Sequence, residues 1–107
     1  MHEKTVGGSI KQDDIRVKRR IFNTAERLVH LRRCSINDVC KYEKILEEIN
    51  EDRYGFQDLL NRTKDNIPHF EKQIEQMINE FDLVVDLEND RVKYKDPKLN
   101  KELRIEY

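Results

Sequence analysis

The sequence predicts a mainly α domain with a small β-hairpin near its C-terminal end. Two observations carry this. Apolar residues recur at helical spacing through most of the chain, and two β-rich runs, LVVDL and VKYK, flank the short turn ENDR. A third observation, the 40% charged and 36% apolar composition over 107 residues, limits the fold to one modest core. No run approaches the roughly 20 apolar residues of a membrane span. With no signal peptide and no disulfide framework, a cytoplasmic protein is the expectation.

Residues 1–12, with Gly7-Gly8 and no apolar period, read as a flexible arm. Asp13 and Asp14 suit the positive end of a helix over 13–33, in which Ile21, Phe22, Ala25, Leu28 and Val29 share one stripe. The other face of that helix is basic, with Arg16, Arg19, Arg20 and Arg27 beside Asn23 and His30. Ser35, with Asp38 three residues on, resembles a capping pair that restarts the helix; Val39, Tyr42, Leu46 and Ile49 then form its buried stripe. The turn-rich NEDRYG ends it. Phe56–Arg62 reads as a short helix and Thr63–Asn66 as a turn. Asn66 caps a further helix with Pro68 in its first turn, where a missing N–H is harmless. Phe70, Ile74, Met77, Ile78 and Phe81 make the stripe of that helix, and the hairpin follows at once. These pieces make one domain over 13–96. Residues 97–107 are a tail in which Leu103, Ile105 and Tyr107 alternate as in a last strand. The expected core is Val39, Tyr42, Leu46, Ile49, Phe56, Leu59, Leu60, Phe70, Ile74, Met77, Phe81 and Val85, with Ile21, Ala25 and Leu28 docking from outside.

Helix, short helix, turn, longer helix and hairpin is the order of a winged helix-turn-helix. KILEEINED resembles the first helix, GFQDLLNRT the second, NIPHFEKQIEQMINEF the third and DRVKYK the returning wing strand, over about residues 39–95. The extra N-terminal helix departs from that pattern. The resemblance implies a third helix in the major groove of duplex DNA and a wing on the backbone.

On that helix His69, Gln73, Gln76 and Asn79 lie opposite Phe70 and Ile74 and are the candidate base readers, since Gln and Asn pair bidentately with adenine. Lys72, Arg91, Lys93 and Lys95 are candidate backbone contacts, joined by Arg16, Arg20 and Arg27 if the first helix lies along the duplex. Against them stand Glu71, Glu75 and Glu80, the first two of which could pair with Lys72 or Arg62. Charge is segregated: residues 1–34 carry +5, 35–90 carry −9 and 91–107 carry +3. Such blocks suit ends that touch an anion, or blocks that attract one another or a second subunit.

The expected function is therefore a homodimeric DNA-binding transcriptional regulator, with Ile21, Ala25 and Leu28 as the dimer element. The other reading is a winged-helix adaptor, or a subunit of a larger complex, whose basic N-terminal helix meets an acidic protein. No catalytic constellation, cofactor motif or metal site stands out. Gly7-Gly8 lacks the Gly-Lys-Ser/Thr ending of a phosphate loop, and His30, Cys34 and Cys40 lack the four-ligand spacing of zinc. The expectation is not an enzyme.

Overall fold

The computed structural model describes residues 7–106, with side chains from Asp14 onward. The order is α1 (Gly7–Glu48), α2 (Phe56–Phe81), β1 (Leu83–Asp86), β2 (Arg91–Tyr94) and α3 (Pro97–Glu102). The fold is mainly helical with a two-stranded antiparallel hairpin.

α1 and α2 form an antiparallel helical hairpin. Arg32 meets Glu71, Glu43 meets Lys64 and Tyr42 meets Phe56, so positions rise on one helix as they fall on the other. Both helices carry a seam at alternating spacings of three and four. On α1 it runs Phe22, Ala25, Val29, Arg32, Ile36, Val39, Glu43 and Leu46; on α2 it runs Leu60, Thr63, Ile67, Phe70, Ile74, Met77 and Phe81. That spacing is the one that keeps two helices in contact over many turns.

The same seam explains why the expected helix breaks do not occur. Between Ser9 and Tyr54 there is neither Gly nor Pro, and Ser35 sits beside a seam that continues through Ile36 and Val39, so α1 is not interrupted. Thr63–Asn66 lies inside α2, and Pro68 is interior rather than in a first turn. The proline removes one intrahelical hydrogen bond, but Leu60 and Thr63 before it and Phe70 and Ile74 after it hold the helix to α1. Residues 7–12, expected as part of a flexible arm, belong to α1; residues 1–6 lie outside the described residues.

The connection between the helices is fixed locally. Asp52 accepts the N–H groups of Phe56 (2.7 Å) and Gln57 (2.9 Å), two of the unpaired donors that open α2. Gly55 sits at φ 73°, a conformation that a side chain would strain. At the other end Asp82, left-handed at φ 54°, donates its N–H to Ile78 and turns α2 straight into β1. In the hairpin Leu83 pairs with Tyr94 and Val85 with Val92, which places these four side chains on the inner face. The turn is held by the Asp86 carboxylate, which accepts from the N–H of Glu88 and from the backbone and side chain of Asn89. The Asn89 side chain leads the contacts that hold this carboxyl below its ordinary range.

The buried core lies at the base of the molecule: Phe22, Ala25 and Val29 of α1, Ile74 of α2, Leu83, Val92 and Tyr94 of the hairpin, and Leu103. Of the expected core only Ile74, Leu60 and the docking Ala25 are buried. Val39, Tyr42, Leu46, Ile49 and Phe56 are half-buried, and Leu59 is 38% exposed, because two helices alone cannot enclose a side chain. The tail forms α3 instead of a strand; Tyr107 lies outside the described residues. Asp96 caps α3 through the N–H of Lys98, Pro97 follows at the tolerated position, and Asn100 bonds both the N–H and the carbonyl of Tyr94.

Tyr94 ties the hairpin to α1, donating its hydroxyl to the carbonyl of Lys18 at 2.6 Å. Burial, with the charge of Asp14 adding to it, pushes this phenol up to about 12. The folded protein thus binds the phenolic proton more tightly than the unfolded chain, where tyrosine titrates near ~10. The stability that Tyr94 contributes is complete below about pH 10 and is lost as pH rises towards about 12. Alkaline unfolding followed by circular dichroism should flatten in Tyr94→Phe, which has no proton to lose; an unchanged alkaline limb would contradict this role.

Candidate interaction surfaces

The predicted contact residues fall on three faces. On α2 the side chains of His69, Lys72, Gln76 and Asn79 are exposed along one outer row, with Gln73 half-buried at its edge. Nothing else in the described chain covers them; the Gln73 amide and the His69 Nε2, 3.5 Å apart, meet each other one turn apart. Glu75 and Glu80 are exposed on the two borders of the row. Glu71 is turned away from it and accepts from Nε of Arg32 at 2.8 Å, while Arg62 pairs with Asp58. Neither carboxylate arrangement is the one expected from the sequence.

The hairpin lies on a different side. Arg33 bonds the Leu87 carbonyl (2.7 Å) and the Asp90 carboxylate (2.9 Å), and Arg19 bonds the Leu103 carbonyl (3.2 Å). Arg19, Glu26 and Arg33 recur every seven residues and mark the flank of α1 against which the hairpin and α3 pack. On the outer side of the hairpin Val84 stands opposite Lys93 and Asp86 opposite Arg91, whose charge helps to hold Asp86 ionised. Arg91 and Lys95 are exposed and Lys93 is half-buried.

Arg16, Arg20 and Arg27 are exposed on the outer face of α1. Because the seams of α1 and α2 face each other, the outer faces of the two helices point in opposite directions. The structure therefore does not bring these arginines together with the row on α2. The other three arginines of α1 are engaged inside the fold. Arg32, 14% exposed on the seam, has its Nη1 without a hydrogen-bond partner among the described residues.

The expected dimer element needs correction. Ala25 is fully buried in the intramolecular seam, and Ile21 and Leu28 pack on the core of their own chain with part of their surface left open. Of the three, Ala25 is thus taken up within one subunit, while Ile21 and Leu28 keep open surface.

Of the surface that stands out most, sequence reasoning named Ile21 and Leu28 and missed the rest. Ile21, Leu28, Ser35, Tyr42 and Ile49 recur every seven residues on the flank of α1 opposite to Arg19, Glu26 and Arg33. Beside them run Val17 (51% exposed), Leu31 (37%) and half-buried Ile45. Leu59 and Tyr54 extend the apolar surface at the tip. Isolated apolar side chains on a surface mean little, but seven that recur along one flank of a helix do. The seven-residue recurrence was the available signal.

His30 Nε2 and Cys34 Sγ are 3.4 Å apart, but among the described residues no three His, Cys, Asp or Glu side chains gather as a metal site would need. The concavity lined by Asn23, Glu26, Arg27, His30 and Asp90 mixes both signs of charge. Among the described residues no helix is long and apolar enough to cross a membrane. No protein-family model, curated protein or solved structure matches the chain.

Proposed function

We propose that the protein acts through protein–protein contact, as an adaptor or a subunit of a larger assembly, with the helical hairpin of α1 and α2 as its contact element. The observation that carries this reading is the partly exposed flank from Val17 to Ile49 on the side of α1 away from the hairpin and α3, apolar at Val17, Ile21, Leu28, Leu31, Tyr42, Ile45 and Ile49 and interrupted by Thr24, Ser35 and Asp38. Apolar area left open in this way gains free energy only when a partner removes it from water.

A second reading keeps DNA binding, although α2 runs straight through the turn of the helix-turn-helix pattern. One observation favours it: the row of His69, Lys72, Gln76 and Asn79 is open to solvent and α2 leads directly into a hairpin bearing Arg91 and Lys95. Two physical facts weigh on the other side. Glu75 and Glu80 border the row, and each would be repelled by phosphate; the arginines on α1 face away from it and cannot share its footprint.

A salt titration of duplex binding separates the two. The adaptor reading expects no binding tighter than about 100 µM at ~50 mM salt, where non-specific electrostatic contact is at its strongest. Micromolar binding that falls steeply with salt, and loses sequence preference in Gln73→Ala/Gln76→Ala, would overturn it in favour of DNA reading.

A further inference from the structure

We propose that the apolar flank of α1 receives a second copy of this chain, packed with the two α1 helices antiparallel to form a four-helix assembly. This inference rests on the protein-contact reading above and names the partner.

Three features lead to it. The fold is covered on one side only: the hairpin and α3 engage α1 through Lys18, Arg19 and Arg33, while the row of Ile21, Leu28, Tyr42 and Ile49 lies on the opposite flank. The face that carries the open strip is large enough. From Val17 to Ile49 the strip is about 48 Å long at 1.5 Å per residue and about 10 Å wide on α1 alone, about 480 Å². The adjoining flank of α2 widens the face to about 18 Å, or about 850 Å² in all. A stable specific interface needs about 800 Å² from each partner.

The charge pattern decides both partner and orientation. Away from the seam and from the flank that meets the hairpin, residues 14–27 of α1 expose Arg16, Arg20 and Arg27 against Asp14, whereas residues 38–48 expose Asp38, Glu47 and Glu48 against Lys41 and Lys44. A parallel pairing would set like charge against like. An antiparallel pairing sets the basic half of each α1 against the acidic half of the other, while the apolar strip is complementary to itself. The two-fold axis then falls near Cys34, midway along the strip. Small Ser35 and Cys34 at that crossing allow close approach.

Sedimentation equilibrium tests the second copy. The wild-type chain is expected to be dimeric at about 10 µM, and Leu31→Lys/Ile45→Lys should weaken association about 100-fold while helicity is retained. If that variant loses helicity, Val17→Lys, at an exposed end of the strip, should still weaken association about tenfold. Orientation is read by cross-linking in a Cys34→Ser/Cys40→Ser background. Thr24→Cys chains mixed with Ile45→Cys chains should give mixed dimers through a short bismaleimide. Like-with-like cross-links only would overturn the antiparallel arrangement. A wild-type monomer at about 100 µM would overturn the second copy itself; the protein-contact reading falls separately, by the duplex titration.

Discussion

Replacing Pro68 by alanine is expected to stabilise the protein by about 2 kcal/mol, raising its thermal midpoint. Proline inside a helix is worth about 3 kcal/mol less than alanine, and about 0.4–1 kcal/mol of the gain returns through the freer unfolded chain. The sign is what matters. In a helix that began after Asn66, Pro68 would occupy the first turn at no cost, and alanine would bring nothing or a small loss. Asn66→Ala offers a companion reading: interior to α2 it should be neutral or slightly stabilising, whereas removal of a capping side chain costs about 1 kcal/mol. Equilibrium denaturation of both variants measures this, and a destabilised Pro68→Ala would mean that α2 is not one continuous helix in solution.

Ile74→Ala is expected to destabilise by about 3–4 kcal/mol, a large share of the roughly 5–10 kcal/mol a domain of this size holds. Ile74 is 2% exposed and belongs to the cluster that joins both helices, the hairpin and Leu103. Its loss therefore leaves a cavity bounded by elements that cannot collapse independently. The same change at Ile36, half-buried on the helical hairpin away from that cluster, should cost about 1 kcal/mol, since less area returns to water. Urea denaturation of the two variants gives the comparison. Equal losses would mean that the stability of the molecule is spread along the helical hairpin and not concentrated at its base.

Much of the local structure was legible in the residues. The strands were placed almost to the residue, because LVVD and RVKY are β-rich and Asp86 and Asn89 supply turn chemistry between them. The outer row of α2 was legible for the same kind of reason: His69, Lys72, Gln76 and Asn79 lie opposite Ile74 by angle alone, and angle survives whether the helix starts at Phe56 or at Asn66. Helix boundaries were not legible. Ser35, Asn66 and Pro68 are boundary residues by local preference, yet each lies within a seam of apolar contacts that outweighs a propensity of about 1–3 kcal/mol.

The candidate contact surfaces show the same division. Residue type and spacing marked Arg16, Arg20 and Arg27 as exposed, and they are. Spacing within one helix could not reveal that Arg19, Arg32 and Arg33 would be taken up by Leu103, Glu71 and Asp90, since these partners are 39 to 84 residues away along the chain. Nor could it reveal that Ala25 would be sealed inside while Leu31, six residues on, stays open.

The amino-acid order alone determined the class of the fold, the hairpin and which side of each helix is apolar, because these follow from the period of the side chains and from turn chemistry among neighbours. Only the tertiary structure decided that two helices run unbroken, that Tyr94 and Leu103 complete the core, and that one apolar flank is left uncovered. Those outcomes depend on which distant surfaces meet, and the free energy of that meeting exceeds the local preferences written into Ser35, Asn66 and Pro68.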